Sequence, residues 1–256
     1  MSLQPFIFAF PTAGSYGSEF REIMRHSRPR GRIVRYPGRT IDHSNPASSF
    51  EALAAECTER VTSVAGSRPT ILIGHSFGAY VAYLVASELY KLSTTVTALV
   101  VTGANCPGWP RPAFPTSAPE IREYLTRLDP PGFAEADADV LEEVSQHAIS
   151  DLQLLQSFVP PAPPTLQCKV YATAGSTDPL VDDDGLAGWR AITTGEFLSR
   201  KFSGGHSDLL GADEFIGWLH HDMSNLRLPE QMLPQVGSPF TSSPHVGVFP
   251  PRNDID

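Results

Sequence analysis

Hydrophobic positions along this chain follow two periods that trade places from segment to segment. Short runs rich in β-branched and aromatic residues predict strands at Phe6 to Phe10 (FIFAF), Arg32 to Tyr36, Thr70 to Ile73, Val96 to Thr102 (VTALVVT), Lys169 to Ala174 (KVYATA) and Phe197 to Phe202. Between them apolar residues recur at helical spacing: Phe20, Ile23 and Met24; Phe50, Leu53, Ala54, Cys57 and Val61; Ala79 to Ala86, apolar all round; and a stretch from Asp213 to His220. Ser48 with Glu51 three positions on predicts a capping box at the start of the second of these. Alternation of this kind predicts an α/β fold, a mostly parallel central sheet with helices on both faces.

From about 107 to 165 the strand pattern stops. Prolines stand at both ends, and three helical stretches lie between them: Ile121, Tyr124, Leu125 and Leu128, opened by Ser117 with Glu120; Val140, Leu141 and Val144; and Leu152, Leu155 and Phe158. Short helices with apolar faces, inserted after a sheet strand, predict either a helical lid over an apolar groove or a subdomain with its own small core. In the lid reading Leu125 and Leu155 bind substrate. The chain therefore divides into a domain over 1–225 and a Pro-rich tail over 226–256 without periodicity.

Composition narrows the setting. At 256 residues and 41% hydrophobic content the chain can bury one full core, and its formal net charge of −9 argues against nucleic acid or an anionic membrane as a general partner. Cys57, Cys106 and Cys168 stand far apart without a CxxC pair, so neither a metal site nor a disulfide framework is predicted. No run is long enough to span a membrane, and MSLQPFIFAFP does not read as a secretion signal. A cytoplasmic location and a monomer are expected.

The chemistry centres on Gly74-His75-Ser76-Phe77-Gly78, a GxSxG turn between a strand and a helix. Glycines at both ends let the strand and helix converge, so the serine can hold a strained backbone with its hydroxyl exposed. Asp178 follows the strand ending at Ala174, and His206 follows the last strand in Ser203-Gly204-Gly205-His206. Serine, carboxylate and imidazole at three strand ends, in that order, match the nucleophile, acid and base of an α/β-hydrolase. The imidazole takes the serine proton, and the carboxylate fixes its tautomer and stabilises its cation. Backbone N–H groups of Phe77 and of Ala13, in the small-residue loop Thr12-Ala13-Gly14-Ser15, are the candidates for an oxyanion hole. Competing residues are Asp182, Asp183 and Asp184 for the acid, and His147, His220 and His221 for the base. His75 is adjacent to Ser76, but its side chain is expected to point away from it.

FPTAG at Phe10 to Gly14, YPGR at Tyr36 to Arg39, GHSFGA at Gly74 to Ala79, the Asp178 loop and GGH at Gly204 to His206 occur together. In this the chain resembles the type II thioesterases of polyketide and nonribosomal peptide biosynthesis, from Phe6 to about Leu219. The resemblance implies an α/β-hydrolase fold with a helical lid and a catalytic triad of Ser76, Asp178 and His206. It also implies hydrolysis of acyl groups from the phosphopantetheine arm of an acyl or peptidyl carrier protein, in an editing role and without a metal or redox cofactor. Ser15 replaces a second glycine, and Ser207-Asp208 an aromatic pair, usual in that family. The triad alone also suits a carboxylesterase or acyltransferase acting on a free small-molecule ester, and a noncatalytic synthase partner would keep Ser76 only as a fold residue.

Seven of the chain's 19 Lys and Arg residues fall between Arg21 and Arg39: Arg21, Arg25, Arg28, Arg30, Arg32, Arg35 and Arg39. They form either a solvated face or a patch that steers an acidic carrier, as the resemblance implies.

Overall fold

The computed structural model describes residues 4–27, 30–39, 45–129, 137–163 and 165–225. The tail over 226–256 and Arg28 lie outside the described residues.

Strands β1 (Phe6–Phe10), β2 (Gly31–Ile33), β3 (Thr70–His75), β4 (Val96–Thr102), β5 (Lys169–Gly175) and β6 (Phe197–Phe202) form a parallel sheet in the order β2-β1-β3-β4-β5-β6. Helices α1 (Arg21–His26), α2 (Phe50–Ala65), α3 (Phe77–Lys91), α4 (Ala118–Leu128), α5 (Ala138–Ser157), α6 (Asp183–Ala187) and α7 (Asp213–Asn225) connect or follow the strands. Successive strand residues point to opposite faces. Phe8, Phe10, Leu72, Leu99 and Val101 pack with residues of α2 and α3, whereas Ile7, Ala9, Ile71, Ile73 and Val100 pack with Ile23 of α1 and with Phe215 and Leu219 of α7. Each fully buried side chain of this size stabilises the fold by roughly 1.5–3 kcal/mol, so both helix layers are fixed to the sheet.

Four local expectations are corrected. Strand β2 ends at Ile33 rather than Tyr36. Ladder pairing sets Ile33 opposite Ala9, and the partner strand soon reaches Pro11, which has no N–H to give. Ser49, not Ser48, caps α2, accepting the Ala52 N–H at 3.1 Å. Helix α7 runs on to Asn225 because Met223 extends the buried stripe one turn past Leu219.

The fourth concerns the insertion, where the second and third predicted stretches are one helix, α5. Between the two apolar stretches, Ser145 and Asp151 are buried and bonded. The Ser145 hydroxyl donates to the Leu141 carbonyl at 2.5 Å, and Asp151 meets partners from other parts of the chain. Among the described residues, no helix is long and apolar enough to cross a membrane.

Candidate active site

Ser76 sits between the end of β3 and the first turn of α3 with φ 53° and ψ −119°. A non-glycine residue in this region is strained, and the surrounding packing holds it there. A Cβ on Gly74 would collide with the Gly78 carbonyl, and one on Gly78 with the carbonyls of Phe10 and Pro11. Both glycines are therefore required for β1, β3 and α3 to meet, and the Ser76 N–H is tied to the Thr102 carbonyl at 2.8 Å.

The loops after β5 and β6 are stitched together. The Ser176 N–H donates to Phe202 O at 2.7 Å, the Thr177 N–H to Gly204 O at 3.0 Å and the Thr177 hydroxyl to the same oxygen at 2.9 Å. A Cβ on Gly175 would strike the carbonyls of Gly204 and Gly205, so only glycine lets the loops cross this closely. The crossing places Asp178 Oδ2 2.8 Å from His206 Nδ1, with both side chains buried. Asp178 Oδ1 accepts the Leu180 N–H at 2.9 Å, which fixes the carboxylate plane. Asp208 accepts the Gly205 N–H at 2.9 Å and braces the loop of His206.

His206 Nε2 is buried and has no hydrogen-bond partner among the described residues. The His206 ring lies 4.7 Å from that of His75, whose Nδ1 is 2.7 Å from Thr102 Oγ1. Burial, and secondarily His206, holds the His75 imidazole well below its ordinary range, so His75 is neutral.

The loop after β1 passes close by. Its Thr12 N–H donates to Glu19 Oε1 at 3.0 Å, its Gly14 N–H to Asp151 Oδ2 at 2.9 Å and its Ser15 N–H to the Thr12 carbonyl at 3.1 Å. The Ala13 N–H has no such partner among the described residues. Phe77 opens α3, so its N–H has no partner within the helix, and the helix dipole favours negative charge at this end.

A cavity of about 230 Å³ adjoins Ser76, lined among others by Phe77, Tyr80, Tyr124, Leu152 and Leu155. Leu155 thus faces the nucleophile's cavity. Leu125 does not line it; it is buried in the core, and its neighbour Tyr124 lines the cavity in its place. Burial pushes the Tyr124 phenol up to about 12, Arg127 opposing and Asp178 adding to the shift, so α4 lies within electrostatic reach of the carboxylate.

Of the competing residues Asp182 lines the cavity beside Ser76, but it is Asp178 that bonds His206. Asp182 opens α6 and accepts the Trp109 Nε1–H at 3.1 Å, and Asp183 pairs with Lys201 at 2.5 Å. His147 stands 3.7 Å from Glu143, and His220 packs on His26.

The arginine cluster also divides. Arg39 is buried against Asp151 and is not surface. Arg30 immediately precedes β2 and bonds Gln4 before β1, at the end of the sheet opposite Ser76, because α1 runs back antiparallel to the strands. Arg21 at the start of α1 and Arg35 after β2 are exposed at the Ser76 end.

A parallel sheet that brings a strained serine, a buried carboxylate and an imidazole to the carboxyl ends of its strands defines an α/β-hydrolase. The chain belongs to the thioesterase domain family, whose model matches residues 5–223. It is 26% identical over 241 residues to a probable cadicidin biosynthesis thioesterase of Streptomyces griseus, covering 91% of this chain. It spans less than two thirds of the curated relatives that match it first: 64% of that protein, and 15% of the phenyloxazoline synthase MbtB of Mycobacterium tuberculosis. Its fold matches the type II thioesterase BorB from the borrelidin biosynthetic cluster with a TM-score of 0.75 at 26% identity, over 86% of this chain and 93% of that one. It also matches RedJ, a thioesterase of the prodiginine pathway in Streptomyces coelicolor, with a TM-score of 0.74 at 25% identity, over 84% of this chain and 85% of that one.

Proposed function

We propose that the protein is a serine thioesterase that removes acyl groups from the phosphopantetheine arm of a carrier protein, clearing misprimed or stalled units from a polyketide or nonribosomal peptide synthase. The observation that carries this reading is the buried Asp178–His206 hydrogen bond, with His206 Nε2 left without a partner and packed against the residue preceding Ser76.

In this mechanism Ser76 Oγ attacks the thioester carbonyl while its proton passes to His206 Nε2. Asp178 stabilises the resulting imidazolium through Nδ1–H. The N–H groups of Ala13 and Phe77 receive the charge that develops on the carbonyl oxygen. Collapse breaks the C–S bond, and the imidazolium proton goes to the departing thiolate. A water molecule, deprotonated by His206, then attacks the acyl-serine; the acid leaves and the proton returns to Ser76 Oγ. These steps use the chain's own side chains and need no cofactor. The helices over 107–165 act as the lid, the acyl group lies in the cavity beside Leu155 and Tyr124, and Arg21 and Arg35 meet the acidic carrier. The protein works in the cytoplasm beside its synthase.

The test is a panel of carrier proteins loaded with different acyl groups, set against simple aryl esters. Faster hydrolysis of carrier thioesters than of any aryl ester, in kcat/KM, is expected. Preference for free esters would overturn the substrate class and leave the triad standing.

A further inference from the structure

Helix α5 reaches from the insertion into the loop that carries Ala13. Asp151 Oδ2 accepts the Gly14 N–H at 2.9 Å and forms an ion pair with Arg39 Nη2. Arg39 Nη1 donates to the Ser15 carbonyl at 2.6 Å, and its guanidinium lies 4.9 Å from the ring centre of Tyr36. Tyr36 in turn donates its hydroxyl to the Pro11 carbonyl at 2.8 Å. Side chains from α5 and from the segment after β2 thus hold the backbone on both sides of Ala13. The fit is close: Gly14 has φ +79°, and a Cβ there would stand 2.6 Å from the Val144 carbonyl oxygen of α5.

The ion pair is buried, with only 4% and 9% of the Arg39 and Asp151 side chains exposed. Desolvating two charges offsets most of their attraction, and apolar residues of similar volume commonly serve stability as well or better. A charged pair gives direction instead, because Asp151 Oδ2 is bonded to the Gly14 N–H and Arg39 Nη1 to the Ser15 carbonyl of the loop. Oxyanion donors are most effective when already in place, since they then need no reorganisation as charge develops.

We infer that Asp151 and Arg39 are positioning residues that hold the Ala13 N–H in line for the oxyanion. This rests on the reading of Ala13 and Ser76 given under the proposed function. It makes the long helix of the insertion part of the catalytic frame, fixed to the loop after β1, rather than a flap that swings free of it.

The experiment compares Asp151→Asn, Asp151→Ala, Arg39→Lys and the double variant Arg39→Lys/Asp151→Asn with the wild type. It measures kcat and KM on an acyl thioester, the rate of Ser76 labelling by a fluorophosphonate, and Tm. Asp151→Ala is expected to lower kcat about 10- to 100-fold, part of the loss typical of a deleted oxyanion donor, with KM changed less than about threefold. The labelling rate should fall in parallel, because the phosphoryl oxygen occupies the same hole. The double variant should lose little more than the worse single one, since both act through one loop. Should Asp151→Ala fail to fold, Asp151→Asn and Arg39→Lys keep the shape and carry the same comparison. Folded variants with lowered Tm but with kcat and labelling rate within about twofold of wild type would overturn the inference and leave the pair a purely structural contact. Labelling needs no carrier, so it tests the positioning role even where the carrier panel fails. A wild-type protein that is not labelled at Ser76 would overturn the triad and the inference together.

Discussion

His75 lies against His206 with their ring centroids 4.7 Å apart and their planes inclined at 43°. The residue before Ser76 thus forms part of the packing under His206. A Cβ on Gly103 would stand 2.7 Å from His75 Cε1 and 3.1 Å from His206 Cε1, so the chain closes over both rings. Neutrality of His75 keeps a second positive charge away from the imidazolium that the proposed mechanism forms at His206.

This neutrality has a pH consequence. Native His75 resists protonation, whereas in the unfolded chain it titrates near 6.5. Above that pH both states are neutral at this site and it contributes no pH dependence. Below it the unfolded state binds a proton the native state does not, and stability falls by up to about 1.4 kcal/mol per pH unit. His75→Gln is expected to flatten the urea-denaturation profile between pH 7 and pH 5 by this one-proton slope. An unchanged slope would show that His75 takes up its proton in the native state.

Ser76→Ala is expected to lower turnover by more than roughly a thousandfold and to leave the fold intact. Asp178→Asn and His206→Ala each cost orders of magnitude, while Asp182→Asn and His147→Ala stay within about twofold. Steady-state kinetics on pure variants, with circular dichroism as the fold control, decides. A crippled Asp182→Asn enzyme would mean that the carboxylate bonded to Trp109, not the one bonded to His206, serves the base.

Within the insertion, position around the helix separates two roles. Leu155→Ala and Tyr124→Ala enlarge the cavity beside Ser76 and are expected to shift preference toward longer or bulkier acyl groups. Leu125→Ala is expected to destabilise by about 2–5 kcal/mol with an unchanged acyl profile, because Leu125 fills core and does not line the cavity. Acyl-length profiles beside thermal melts distinguish these outcomes.

Arg21→Glu with Arg35→Glu is expected to lower kcat/KM for carrier-bound acyl groups, more strongly at low salt, and to leave a small acyl thioester unaffected. Arg30→Glu, at the far end of the sheet, serves as the control. Equal loss on both substrates would point to damaged folding, and no loss on either would leave these arginines as solubilising surface.

Much of this was readable from the chain because buried parallel strands are written as short apolar runs, and because glycines mark the places where backbones must touch. Gly74 and Gly78 pointed to the meeting of strand and helix before any coordinate did. What escaped depended on partners distant in sequence. Asp151 carried no signal in the sequence, because its bonds are to Arg39 and Gly14, far away along the chain. Arg39 looked like surface charge because its neighbours in sequence are arginines. Leu125 and Tyr124 differ by one step around a helix, and only the packing of α4 decides which of them faces the cavity.

His206, the proposed base, follows β6, the strand at the sheet's far edge, and its partner Asp178 follows β5. A growing chain that has emerged through α5 holds the serine, its elbow and both candidate oxyanion amides, yet lacks the group that would take the proton. Domains consolidate as their segments leave the ribosome, so the proposed set of Ser76, Asp178 and His206 is complete only after β6 and the loop that follows it have emerged. On the proposed mechanism, a copy that stops short of His206 presents Ser76 without the group that activates it.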